Sequence, residues 1–317
     1  MDTCTGCGEI LNEAYQGLYD DRYGYPGYFN MKQCKGCGHM VLDAVFTGEQ
    51  LGDLYSNFYP RSAFHLEDWK PYTYKPGFSS WLSGVRSHAY PFVPPGVRVL
   101  DVGCGFGETL GYHRNLGCEV YGVEADTNIR RVADKFGFNV EVGLFDPTRY
   151  SKDFFDYVTL NQVMEHVADP IGTLQGIRDI LKPGGTAIVT TPNAHTWGIK
   201  VFGKRWVHWH TPYHLNIFTT KSMRDYAAKV GLELISSKSI THSDWLLFQW
   251  IHLVIRPAMG IPGSFWTAKP VTPTQKWLIR GINLAHRLKF NHWVTRLMDG
   301  LDCGDNRVYI LRKPLPQ

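Results

Sequence analysis

Residues 97–107 read VRVLDVGCGFG. Val97 to Val102 form a short run of β-branched and apolar side chains, the composition of a buried strand. The run opens directly onto Gly103, Gly105 and Gly107, where missing side chains let a ligand approach the backbone closely. The residues after this turn, ETLGYHRNLG, read as a helix. Further along the chain the same alternation continues. EVYGVEAD (119–126) reads as a strand, TNIRRVADKFG (127–137) as a helix and FDYVTLNQV (155–163) as a strand. PIGTLQGIRDILKPGG (170–185) then reads as a helix and TAIVTTPN (186–193) as a strand. Strands alternating with helices of this length imply a parallel, doubly wound α/β sheet. Ligands of such sheets bind at the C-terminal ends of the strands.

A glycine turn alone does not separate nucleotide-binding folds from one another. Three features do. The spacing Asp101-x-Gly-x-Gly-x-Gly lacks the final-glycine spacing of the dinucleotide fingerprint. Glu124 ends the second strand, where a carboxylate can accept both hydroxyls of a ribose. Pro183-Gly184-Gly185 places a turn between a helix and the next strand.

Together these residues resemble the class I S-adenosylmethionine (SAM)-dependent methyltransferases, from about Val97 to Asn193. The resemblance implies a Rossmann-like seven-stranded sheet with helices on both faces. It sets Asp101, Gly103, Cys104 and Gly105 at the methionine part of SAM and Glu124 on its ribose. Ala125 and Asp126 then lie beside the adenine. Leu144 and Phe145, from GLFD (143–146), sit where the family holds the adenine ring. Asn161 and Gln162 open NQVMEHV (161–167), the motif that borders the transferred methyl group.

Four of the seven cysteines fall in two matching frames, CTGCG (Cys4, Cys7) and CKGCG (Cys34, Cys37). Two CxxC pairs at this separation match a structural zinc ribbon, and four thiolates leave the metal no open position for chemistry. Disulfides are the alternative, disfavoured in a cytosolic protein. Cys104, Cys118 and Cys303 stand alone and read as packing residues. The paired knuckles followed by LGDLYSNFYP (51–60) resemble the N-terminal module of bacterial methyltransferases of sugar, polysaccharide and secondary-metabolite pathways. FGKRWVHWHTPYHLNIFTTKSM (202–223) resembles a segment those proteins carry after the fifth strand. They often have Pro-Arg-His-Leu where this chain has Pro212-Tyr213-His214-Leu215, so an anion-binding role of the arginine is not carried over.

The expected organisation is a zinc-ribbon-like module over 1–50 and a SAM-binding domain over 51–240. A helical insertion over 241–306 follows, then the last strand and tail over 307–317. LELISSKSI (232–240) and RVYILRKP (307–314) read as the sixth and seventh strands, the latter an antiparallel edge strand by the resemblance. The insertion holds two helix-like segments with broad apolar faces, DWLLFQWIHLVIRP and TQKWLIRGINLAHRLKF. Such faces serve a substrate pocket, a protein contact or a membrane surface.

The net charge of +4 over 317 residues gives no concentrated phosphate-binding surface, which argues against a dedicated nucleic-acid binder. No apolar stretch is long enough to cross a bilayer, and the N-terminus lacks the pattern of a secretory signal. A cytoplasmic placement is expected.

Methyl transfer to a hydroxyl needs a group to take the departing proton, and histidine's ordinary pKa suits this. His214, with Tyr213 as its polar helper, and His166 are the catalytic candidates. His208 and His210 are expected to line or buttress the pocket. For each histidine, packing is the competing role. Glu165-His166 resembles a pair that, in related quinone-pathway O-methyltransferases with an acid three residues earlier, binds a divalent metal. Gln162 stands at that earlier position, which disfavours a catalytic metal and leaves it as an alternative. The sequence points to O-methylation of a sugar-type hydroxyl on a small polar metabolite or glycan. Carbon or nitrogen acceptors, an RNA substrate and SAM sensing without catalysis stand as alternatives.

Overall fold

A computed structural model describes residues 3–47, 50, 53–58, 65–263 and 272–316. Positions 51–52 and 59–60 of the LGDLYSNFYP stretch lie outside them. The N-terminal part forms β1 (Leu11–Leu18), β2 (Phe29–Cys34) and β3 (Met40–Leu42), followed by α1 (Phe78–Ser83). The alternating region comprises β4 (Arg98–Val102), α2 (Glu108–Asn115), β5 (Glu119–Glu124), α3 (Ile129–Phe136), β6 (Asn139–Val142), β7 (Phe155–Asn161), α4 (Pro170–Ile180) and β8 (Leu181–Pro192). Then come α5 (Trp197–Phe202), β9 (Asn216–Ile217), α6 (Thr220–Lys229) and β10 (Glu233–Ser239). The chain closes with α7 (Ser243–Ile255), α8 (Pro273–Arg287), α9 (Phe290–Gly300) and β11 (Asn306–Arg312).

Seven strands form one sheet in the order β10-β11-β8-β7-β4-β5-β6. The pairs among β4, β5, β6, β7 and β8 are parallel, and β11 runs antiparallel to both its neighbours. Side chains alternate between the two faces, as a strand's period of two requires. Leu100 and Val102 pack with α4 and α6 in the main core, whereas Val99 faces Ala89 and Val93 on the other side. Val120, paired with Val99, also packs in one cluster with Leu110 of α2 and with Ile129 and Val132 of α3, so helices cover both faces, as the alternation implied.

Three details differ from the sequence reading. The seventh strand is not at the edge: β11 lies between β8 and β10, and β10 takes the edge. The side chains agree, since Val308, Tyr309 and Leu311 are buried while β10 alternates with exposed residues. Helix α4 stops at Ile180, and Pro183-Gly184-Gly185 lies in a register shift at the start of β8. β6 is a strand that sequence did not reveal, because its four residues are too few for a clear period.

A second, four-stranded antiparallel sheet has the order β1-β2-β3-β9. Its last strand comes from the segment after β8, through the pairs Met40↔Ile217 and Val41↔Asn216. The cysteine knuckles also pack on α6. Thr5 Oγ1 lies 2.6 Å from Tyr226 Oη, and Thr219 Oγ1 donates to the Cys37 carbonyl at 2.6 Å. A Cβ on Gly6 would overlap the Tyr226 ring, so only glycine allows this close seating. A second seam joins the module to α7, where Asp21 meets His252 Nε2 at 3.0 Å and Arg256 Nε at 3.3 Å. The N-terminal sheet thus clamps 202–218 against the C-terminal ends of the large sheet's strands.

Candidate functional site

β4 ends in the glycine turn. Gly103, Gly105 and Gly107 all have left-handed φ, between +57° and +78°, which favours glycine at each. The amides of Gly103 and Cys104 both donate to the Val123 carbonyl, at 2.8 and 3.0 Å, tying the turn to β5. A Cβ on Gly103 would meet Val163 at 2.6 Å, whereas beside Gly105 nothing lies within 4 Å. The open side of the turn is therefore at Gly105. Asp101 sits below it, buried, accepting from the Thr109 and Thr159 hydroxyls. Burial pushes its pKa up to about 6. Cys104 is buried as well, its sulfur packed under Gly122, and burial pushes its thiol up.

Glu124 faces the same opening. Gly105 N donates to one carboxylate oxygen at 2.9 Å and Asp126 N to the other at 2.8 Å. Each oxygen has a further lone pair for a ligand hydroxyl, so the amides aim the carboxylate without exhausting it. Ala125 is exposed beside it, and Asp126 caps Asn128 N at 2.8 Å. Leu144, 88% exposed, stands free at the tip of its loop, while Phe145 is half-buried in the main core's margin. At the end of β7, Asn161 Oδ1 accepts from Ala89 N at 3.2 Å and from Thr190 Oγ1 at 2.9 Å. Gln162 has a left-handed φ of 58° and turns its amide to Asn306 Oδ1, 2.7 Å away. A non-glycine residue held there marks a strained backbone position.

The histidines gather just beyond the ends of β7 and β8, where His166 follows β7 and meets the segment that follows β8. His208, His210 and His214 are all buried, and His166 is half-buried. His214 Nδ1 lies 2.8 Å from the His208 carbonyl, and its Nε2 lies 3.4 Å from His210 Nδ1. His166 Nδ1 lies 3.0 Å from the Tyr213 carbonyl, and its ring meets that of His214 edge-on at 4.8 Å. Tyr213 is buried, its ring tilted against His210. Burial, joined by the nearby Arg22 guanidinium, lowers His208 to about 3 and sets His210 well below its ordinary value. For His214 burial and the His166 ring act the same way, and burial lowers His166 to about 4. The ordinary histidine pKa expected from sequence is therefore absent here. All four rings are neutral at pH 7.

A family profile described as "Methyltransferase domain" matches residues 79–237, half of the chain. The chain belongs to that methyltransferase family. Among curated relatives, the ubiquinone biosynthesis O-methyltransferase of Ruegeria pomeroyi is 29% identical over 167 residues, covering 49% of this chain and 67% of the relative. That of Cereibacter sphaeroides is 30% identical over 167 residues, covering 49% and 68%. Among solved structures, Haemonchus contortus phosphoethanolamine N-methyltransferase 2 in complex with S-adenosyl-L-methionine has a TM-score of 0.51 at 20% identity, covering 90% of this chain and 63% of that one. This last likeness shows a shared fold.

In this SAM-dependent methyltransferase, two groups of side chains can hold a metal ion among the described residues. Cys4, Cys7, Cys34 and Cys37 are free, and their sulfurs all lie within 4.8 Å of one another. Sγ–Sγ distances of 3.6 Å (Cys4–Cys37) and 3.3 Å (Cys7–Cys34) suit a tetrahedral thiolate site. Of the second group, the adjacent Glu165-His166 pair is legible in sequence, but its meeting with His214 is not. HWHTPYHLNIF has no carboxylate of its own, but the fold brings Glu165 beside His166 and His214, again within 4.8 Å. Glu165 is fully buried, and burial pushes its pKa up to about 8. Neither carboxylate oxygen meets hydrogen-bond geometry with a neighbour, although the Thr191 hydroxyl is near enough to favour the charged form. Sequence also passed over His88. It packs against Tyr90 and His242, and burial lowers its pKa to about 4. A lone histidine in RSHAYPF carries no motif, so no local signal points to it.

Proposed function

We propose that this methyltransferase transfers the methyl group of SAM to a hydroxyl of a small polar metabolite or glycan, most simply a sugar-type hydroxyl. The observation that carries the oxygen acceptor is the set of neutral histidines at the ends of β7 and β8, beside the motif that borders the methyl group. Curated relatives named as O-methyltransferases support it. The sugar class rests on the resemblance of the N-terminal module and the 202–223 segment.

SAM supplies a sulfonium whose methyl carbon is attacked in line, the electron pair of the broken bond going to sulfur. The chain's part is to hold, orient and deprotonate. Glu124 takes the ribose hydroxyls, the Gly103–Gly105 turn the methionine end, and Asp126, Leu144 and Phe145 the adenine side. His166 is the proton acceptor this geometry favours. A carbonyl can only accept, so His166 Nδ1 carries the hydrogen toward the Tyr213 oxygen and Nε2 keeps a free lone pair. His214, with Tyr213, then shapes the wall around the acceptor. The four cysteines hold a structural zinc, and the protein works in the cytoplasm.

A second reading has one observation in its favour, the buried Glu165 carboxylate among His166 and His214. A divalent cation there would offset the desolvated charge and acidify an acceptor hydroxyl. Loss of turnover on chelation, restored by added metal while the four-cysteine zinc stays bound, would select this reading.

The test is a tritiated-SAM assay against nucleotide-sugars, lipid-linked glycans, ubiquinone precursors and tRNA. Label in a sugar or glycan hydroxyl is the expected result. Label in a ubiquinone precursor would keep the oxygen acceptor and remove the sugar, and label entering only RNA would overturn the small-molecule reading.

A further inference from the structure

We infer that α1, α8 and α9 form a docking face for an anionic phospholipid surface. Helix α8 is fifteen residues long, yet not one of them is buried. Trp277 is 70% exposed and Leu288 just past its end 73%, with Leu284 between them also exposed. On α9, Trp293 and Leu297 are more than half exposed, one turn apart. Phe78 and Trp81 of α1 extend the same surface, their rings 6.2 and 6.1 Å from that of Trp293. Arg296 Nη1 donates to the Trp81 carbonyl at 2.9 Å, which fixes α1 to α9. Contiguous apolar surface of this kind is rare on a soluble monomer unless something covers it.

Charge identifies the occupant. Lys276, Arg280 and Arg287 fall on one stripe of α8 by helical spacing, immediately beside Trp277, Leu284 and Leu288, and Lys289 follows. Residues 272–298 contain no Asp or Glu. Just beyond, Asp299 turns inward to Arg296 at 2.7 Å, so it neutralises none of these four cations. An apolar stripe with tryptophans, edged by cations, suits the headgroup boundary of an acidic leaflet. A second copy fits poorly. An isologous two-fold contact would bring the same four cations from both copies into one interface, eight like charges with no carboxylate from residues 272–298 among them. No helix among the described residues is long and apolar enough to cross a membrane, so the helices would lie along the surface.

The test is co-sedimentation of the full chain with vesicles of phosphatidylcholine alone or mixed with phosphatidylglycerol. Binding is expected to the mixed vesicles, weakening as salt rises. Arg280→Glu with Arg287→Glu should lower the partition coefficient about fivefold or more per cation removed. Trp277→Ser with Leu288→Ser should abolish binding. These positions lie away from the cofactor and histidine clusters, so melting temperature and SAM affinity should match the parent and exclude misfolding. Equal binding to both vesicle types, or none, would overturn the proposal. So would a concentration-dependent dimer in light scattering that Trp277→Ser with Leu288→Ser abolishes, because it would assign the face to a second copy.

Discussion

His210 Nδ1 stands 3.4 Å from His214 Nε2, while His214 Nδ1 faces the His208 carbonyl at 2.8 Å. The carbonyl obliges His214 to carry its hydrogen on Nδ1, so Nε2 is the acceptor and His210 donates to it. His214 therefore spends both ring nitrogens inside the protein. His166 uses only Nδ1 and is the less buried of the two.

This difference separates the two candidates in a kinetic experiment. His166→Ala should lower kcat roughly 10²-fold or more and leave SAM affinity near the parent value, as expected for loss of a general base. His214→Ala should act mainly on stability, by removing a buried ring whose two nitrogens both face protein partners, at a cost of about 1–3 kcal/mol. Urea midpoints and kcat measured on both variants distinguish the roles. The reverse pattern would return the base to His214.

The buried histidines also set the response to acid. Burial lowers His88, His113 and His166 to about 4 and His208 to about 3. Each contributes stability that is present above the unfolded value near 6.5 and lost as pH falls toward the folded value. Asp101 and Asp305, raised by burial to about 6, work the other way: their contribution is complete below about 3.8 and is lost as pH rises through 6. Glu165, raised by burial to about 8, joins these two carboxyls, but His210, His214 and His292 are lowered as well, and these seven histidines outweigh the three carboxyls between pH 6.5 and 4. The urea midpoint should fall over that window, and a midpoint that rises on acidification would contradict the burial of these rings.

Metal at the four cysteines is the third prediction. Zinc should be found at one ion per chain by atomic absorption, and Cys37→Ser should lose it. Because β3 pairs with β9, the loss should loosen the 202–218 segment as well as the knuckles. Limited proteolysis would then cut near residue 210 in the variant and not in the parent. Cleavage confined to the first 50 residues would show that the two parts are not coupled.

What could be read from the chain in advance was local. The glycine turn, Glu124 one strand later and the two CxxC frames each carry their chemistry within a few residues, so spacing reveals them. β11 was legible as a strand, but its place between β8 and β10 depends on pairing partners far away in sequence. Glu165 and His214 are likewise distant in the chain and meet only because β8 runs beside β7 and the segment after it folds back, with Leu215 N donating to the Glu165 carbonyl at 2.7 Å. The sharp lowering of the histidine pKa values follows from burial under the N-terminal sheet. That contact has no signature in HWHTPYHLNIF itself.

The proposed methyl transfer depends on Glu124 and the glycine turn holding SAM. The direct measurement is calorimetric titration of SAM into the parent protein and into Glu124→Ala. Removing a charged hydrogen-bond partner should cost roughly 1–3 kcal/mol, about 5- to 150-fold in Kd. Saturable binding by the parent and weakening of that size in the variant are the predicted result. Equal affinity in the two proteins would contradict this placement of the cofactor.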